Sequence, residues 1–239
     1  MTSQFDNRTI GDIVSSNYQA AAVFERYSLD FCCGGRVSLA EACRQQHVDM
    51  RAVVDELERL GETTAETAPD DPAELVAHII DRHHAYVRRA IPVVTDHLAK
   101  VVAVHGGRHP ELAAVAAHFD IVTHELMLHM MKEEQVLFPY ICALADAEQS
   151  GTPPPSAMFG TVQNPIRMME IEHEHAGKEL AAIRELSSGF TPPEDACTTF
   201  RVVYDELRTF EQDLHRHVHL ENNVLFPRSV RLEAEARSR

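Results

Sequence analysis

Apolar positions in this chain recur at helical spacing over long stretches, and the expected fold class is all-α. After Pro72 the pattern forms four long segments. The first runs from about Ala73 to His105, with Pro92 expected to kink it and Gly106-Gly107 to end it. The others run from about Glu111 to Glu148, from about Pro165 to Ser187, and from beyond Pro192-Pro193 to the charged C-terminus. Short turns between long helices predict an antiparallel, up-down-up-down four-helix bundle.

Residues 1–60 read as a separate helical module with shorter segments. Thr9 caps a helix expected to pass through Ile10, Ile13 and Val14 and on to Phe24. Ser38-Leu-Ala-Glu41 has the capping-box form, and Asp49 caps a third helix that Gly61 stops. Between the first two lies the loop Asp30-Phe31-Cys32-Cys33-Gly34-Gly35. Residues 61–72 are polar, poor in apolar residues and contain Pro69 and Pro72, so they read as a linker to a bundle spanning 73–239.

Composition narrows the class. At 239 residues with 44% hydrophobic residues and no Trp, the chain can bury a proper core. A formal charge of −15 argues against a nucleic-acid or anionic-membrane surface. The N-terminus lacks the basic and apolar regions of a signal peptide, and no apolar run is long enough to span a bilayer. Five cysteines, an odd number, fit free thiols in a reducing cytoplasm.

The chemistry lies in a phrase written twice. His129-x3-Glu133-x3-Leu137-Phe138-Pro139 returns as His217-x3-Glu221-x3-Leu225-Phe226-Pro227, at an offset of 88 residues. Four residues is slightly more than one helical turn, so each His shares a helix face with its Glu. The repeat extends upstream: the stretch ending in His84 matches the stretch ending in His173 at an offset of 89 residues. Each half is thus a helix hairpin with one His on its first helix and His-x3-Glu on its second. Helix phase alone does not separate His83 from His84; the repeat spacing selects His84. His215 and His219 face more polar positions than His217, and His47, His78, His97 and His118 are expected at surfaces.

Four imidazoles and two carboxylates offer mixed nitrogen and oxygen ligation without thiolate. Six donors are too many for one tetrahedral zinc but suit a dinuclear site in which the carboxylates bridge. Iron is the best-fitting occupant and manganese the second. A ferritin-like centre would use more carboxylate and a Glu-x-x-His spacing on its helices. A single His on an apolar face is more often structural than ligating, but six candidates in a two-fold repeat reverse that balance.

Cys32-Cys33 stands apart from the repeat. Adjacent cysteines form only a strained disulfide, so redox exchange or transient metal contact suits them better than a staple. The glycines that follow allow close approach of a partner. Cys43, Cys142 and Cys197 lie on helical patterns and are expected as buried small hydrophobes.

The Asp-Phe-Cys32-Cys33-Gly-Gly module, followed by Glu170-x-x-His173, His129-x3-Glu133 and His217-x3-Glu221, resembles the repair-of-iron-centres (RIC) family over nearly the whole chain. That resemblance implies a hemerythrin-like bundle with a non-haem di-iron centre, oxo- and carboxylate-bridged, ligated by His84, His129, His173 and His217, with Glu133 and Glu221 bridging. It implies that Glu172 lines access to the centre. It further implies repair of iron-sulfur clusters damaged by nitrosative or oxidative stress, through iron donation or nitric oxide binding. Expected partners are iron-sulfur proteins with damaged clusters and nitric oxide or oxygen as small ligand; a homodimer is allowed. Two rival readings stand beside it. One is an enzyme that reduces or scavenges nitric oxide with electrons from a partner; the other is an oxygen or nitric oxide carrier or sensor. No flavin or nicotinamide motif is present to support the first.

Overall fold

The computed structural model describes Phe5, residues 8–60 and residues 68–238. Gly61 and most of the expected linker lie outside the described residues. Within them the chain forms eight helices and no strand. The N-terminal module holds α1 (Ile10–Ser16), α2 (Ala20–Arg26), α3 (Leu39–Gln45) and α4 (Met50–Arg59). The bundle holds α5 (72–105), α6 (111–150), α7 (Gln163–Leu186) and α8 (198–238).

The expected caps form. Thr9, Ser38 and Asp49 each accept a hydrogen bond from a backbone N–H in the first turn of the helix they precede. The first helix does not run on to Phe24 as expected. It stops at Ser16, where Asn17 turns extended and its side chain accepts the N–H of Gln19. That local bond competes with helix continuation, as Asn side chains do. Pro92 lies inside α5 without ending it.

α7 packs on α6, α6 on α5, and α5 on α8, closing an antiparallel four-helix arrangement. Its apolar interior is in two parts. One cluster runs from Val87, Leu126, Leu180 and Leu214 into the N-terminal module, taking in Phe24, Phe31 and Leu39. The other gathers Leu75, Ile79, Phe138, Ile166 and Phe226 at the opposite end. The buried polar residues of the repeat lie where these two clusters meet on the bundle helices. The N-terminal module docks on α8, where α1 contacts the stretch around Leu220–Leu225.

Three of the four bundle helices widen to π-helical hydrogen bonding, at Ile79–His84, Glu133–Leu137 and Leu220–Leu225. Phe138 N–H donates to the carbonyl of Glu133, and Phe226 N–H to that of Glu221, each five residues back. Such turns cluster at functional sites. In each copy the proline follows at once, so Leu-Phe-Pro marks the return to α-helix with one backbone donor missing.

Candidate metal centre

The structure brings His84, His129, Glu133, His173, His217 and Glu221 into one layer, each 3% exposed or less. They form two sets of four donors. His84 and His217 stand with both glutamates in one set; His129 and His173 stand with the same two glutamates in the other. Each set takes one histidine from each half of the repeat. A half therefore does not hold a site of its own.

Within the sets the Nε2 atoms of His84 and His217 lie 3.1 Å apart, and those of His129 and His173 lie 3.0 Å apart. Two donors about 2.1 Å from one ion, set at a right angle, stand about 3 Å apart. Glu133 places its oxygens 3.2 Å from His129 Nε2 and 3.4 Å from His84 Nε2, yet out of hydrogen-bonding alignment. Both of its oxygens are buried without a hydrogen bond, as is Oε2 of Glu221. A buried, unpaired carboxylate is costly unless it meets a cation. The donor set and its orphaned oxygens fit divalent metal ions.

Outer partners orient three of the four rings. His84 Nδ1 donates to Glu134 at 2.6 Å, His129 Nδ1 to Glu172 at 2.8 Å, and His173 Nδ1 to Asn222 Oδ1 at 2.9 Å. With Nδ1 held this way, Nε2 is the ring nitrogen that faces the layer, the usual outer-sphere arrangement of ligating histidines. Phe138 lies against the His84 ring at 5.7 Å and Phe226 against His173 at 6.2 Å, so the repeated Phe packs the first-helix His of its own half. Burial and neighbouring Glu221 oppose ionisation of Glu133, but His129 and His84 outweigh them and hold its carboxyl below the usual range. Burial likewise opposes ionisation of Glu221, and His217 and His173 hold it well below. Burial disfavours a charged His129, but Glu133 overrides it and pushes the imidazole up to about 10. Burial instead keeps His217 below its ordinary value.

Glu172 stands behind His129, where it also pairs with Lys132. His83 is buried as fully as His84, because a widened π turn brings two successive residues inward. Glu134 and Asn222 are not among the candidates that the repeat nominates. They were visible as aligned polar positions, each directly after the repeated Glu, at the same offset of 88 residues. Each serves the first-helix His of its own half.

Other placements differ from expectation. His219 does not face a polar position: it is 1% exposed, bonded to Ser15 at 3.2 Å and packed on Phe31 at 5.8 Å. His215 also lies against Phe31, so both rings belong to the seam with the N-terminal module. Cys197 is exposed at the start of α8 and Cys142 half-buried; only Cys43 of the three is a buried small hydrophobe. His47 is exposed, while His78, His97 and His118 are half-buried.

The vicinal thiols sit at that seam and form a set apart from the histidine layer. Cys32 is buried, Cys33 is half-buried, and both backbone N–H groups donate to Asp30. Hydrogen bonding with Cys33, burial and nearby Asp30 push the Cys32 thiol well above its ordinary pKa. The pair lines a cleft of about 700 Å³ between the module and the α7–α8 face, together with Lys178 and His215. Asn222 Nδ2 donates to the Cys32 carbonyl at 3.3 Å while its Oδ1 serves His173, so one amide ties the cysteine loop to the layer. Among the described residues, no helix is long and apolar enough to cross a membrane.

A four-helix bundle with paired His and Glu donors in its middle layer defines a hemerythrin-type protein. Residues 75–229 match the hemerythrin HHE cation-binding domain, and residues 6–61 match a domain of unknown function, DUF542. The iron-sulfur cluster repair protein YtfE of Citrobacter koseri is 36% identical over 95% of this chain and 98% of its own length. The protein of the same name from Escherichia coli O157:H7 is 35% identical over 95% and 98%. A probable iron-sulfur cluster repair protein of Haemophilus influenzae is 36% identical over 94% and 97%. The chain belongs to this iron-sulfur cluster repair family, the hemerythrin-like RIC proteins.

Proposed function

We propose that the bundle holds two iron ions, one at His84 and His217 and one at His129 and His173, with Glu133 and Glu221 spanning both. In this reading the chain restores iron-sulfur clusters damaged by nitrosative or oxidative stress. The observation that carries it is the sharing of both buried carboxylates by both donor sets. A carboxylate serves two cations through its two oxygens, which accounts for oxygens that find no hydrogen bond inside the protein. The cation-binding family match and the names of the relatives support the same reading. Manganese is the second choice of metal.

Bound iron would supply open coordination for nitric oxide or oxygen, or exchangeable metal for a damaged cluster. The chain's own part is to set how firmly that metal is held. Four imidazoles with two carboxylates bring two negative charges to the layer, fewer than a carboxylate-rich ferritin-type set, so the ions are held loosely enough to leave. Glu134, Glu172 and Asn222 fix the rings, and Glu172 and Glu134, half-buried, stand where the layer approaches solvent. Cys32 and Cys33 dock a client protein or pass iron through thiolates at the cleft. The boundaries 1–60, 61–72 and 73–239 divide these roles between a docking module, a linker and the metal bundle, working in the cytoplasm.

The test is anaerobic repair. Iron-loaded protein, incubated with an iron-sulfur enzyme inactivated by nitric oxide, restores that enzyme's activity, and the Cys32→Ala/Cys33→Ala variant restores it poorly. No recovery with fully loaded parent protein refutes the repair role. Unchanged recovery with the double variant refutes the role of the thiols.

A further inference from the structure

Three of the four inward-facing histidines have an acceptor on Nδ1, and His217 does not. The internal two-fold says where its acceptor belongs. At the offset of 89 residues that relates His84 to His173, Glu172 corresponds to His83. Glu172 accepts the Nδ1 proton of His129, so the equivalent position for His217 is residue 83. There the chain carries an imidazole in place of a carboxylate.

The surroundings of His83 suit that substitution. Its Nδ1 donates to Asp213 Oδ1 at 3.0 Å, which leaves Nε2 as an acceptor. Its ring lies parallel to that of His217, at 9° and 5.8 Å between centroids. Asp213 stands one turn before His217 on α8, on the same face. His83 Nε2, His217 Nδ1 and Asp213 Oδ2 are all buried, and none has a hydrogen-bond partner within the protein. His83 Nε2 and His217 Nδ1 are one orphaned acceptor and one orphaned donor on two parallel rings, and a buried water, which makes about three hydrogen bonds, can join them.

We propose that His83, held by Asp213, is the positioning residue of His217, accepting its Nδ1 proton through a bridging water and standing in for the carboxylate that serves His129. This rests on the two-ion reading above and deepens it by assigning a residue that acts on only one of the two ions. His83 touches no metal; it acts through His217.

The experiment loads ferrous iron anaerobically into the full chain and follows its release to a ferrous-iron chelator. Loss of an outer-sphere partner typically costs 10- to 100-fold in metal affinity. In His83→Phe, which keeps a stacked ring and removes the acceptor, one of the two ions is expected to leave roughly 10- to 100-fold faster while the other keeps its parent rate. His83→Gln, which restores an acceptor, is expected to return most of the parent behaviour. Asp213→Asn is expected to loosen the same ion and serves if His83→Phe fails to fold. Equal release of both ions in His83→Phe and Asp213→Asn, whether unchanged or equally fast, overturns the proposal. Failure of the parent chain to bind two ferrous ions overturns the two-ion reading instead.

Discussion

The Nε2 atoms of His84 and His217 lie 3.1 Å apart although the residues belong to opposite halves of the repeat. The same crossing holds for His129 and His173 at 3.0 Å. The two-fold of the sequence therefore relates the two donor sets to each other rather than generating each from one half. Only Glu133 and Glu221 belong to both.

That division predicts two classes of ligand variant. Glu133→Gln or Glu221→Gln removes a shared donor and should lower bound iron from two per chain toward none. His84→Ala or His173→Ala should lower it toward one. Metal analysis of the purified variants checks this. Equal loss from the glutamate and histidine variants would refute the shared-carboxylate arrangement.

Phe138 and Phe226 pack the rings of His84 and His173 and are each 1% exposed or less. Phe138→Ala should destabilise the fold by about 3–5 kcal/mol, the ordinary cost of removing a buried Phe. Thermal unfolding of the metal-free form measures it. The loss should be similar for Phe226→Ala, since the two positions are equivalent in the repeat.

The metal-free protein should lose stability as the solution becomes alkaline. Burial opposes a charged His129, but Glu133 overrides it and raises the pKa from the ordinary 6.5 to about 10 in the folded protein. A raised pKa contributes stability that is fully present below 6.5 and disappears as pH climbs through about 10. Metal binding competes with that proton, so the loaded protein should bind its ions more tightly over the same rise. Melting curves of both forms between these limits test the sign; a metal-free form that gains stability with pH would contradict it.

The seam between the N-terminal module and α8 depends on close approach at Gly35. A Cβ there would lie 2.4 Å from Asn223 Oδ1 and 2.5 Å from the Phe31 carbonyl oxygen. Asn223 Nδ2 donates to the carbonyls of Phe31 and Cys32 at 3.2 and 3.1 Å. Gly35→Ala should therefore loosen the module, and Asn223→Ala should leave those carbonyls unsatisfied at about 1–3 kcal/mol. In both variants Cys32, buried in the parent, should react faster with an alkylating reagent. An unchanged rate in both would mean that the seam does not protect the thiol.

The four bundle helices were legible because apolar periodicity persists over long stretches, and their caps and breaks are of the ordinary kind. The inward candidates were legible through the repeat rather than through helix phase. Phase failed at His83 and His84 because a π turn buries both, and an ideal α-helical wheel has no means of representing an inserted residue. It failed at His219 for another reason. The polar neighbours of that residue face an N-terminal module whose docking no local pattern announces. Glu134 and Asn222 lay in plain view beside the repeated Glu, but their role depends on which ring each one meets across the bundle. Cys197 is exposed because it sits at the start of α8, a position that its helical pattern does not announce.

The proposed pair of iron ions, held side by side by Glu133 and Glu221, is open to metal analysis with Mössbauer spectroscopy of protein purified without added metal. The predicted result is two irons per chain with the signature of an exchange-coupled ferric pair; one zinc per chain, or a single uncoupled iron, would contradict it.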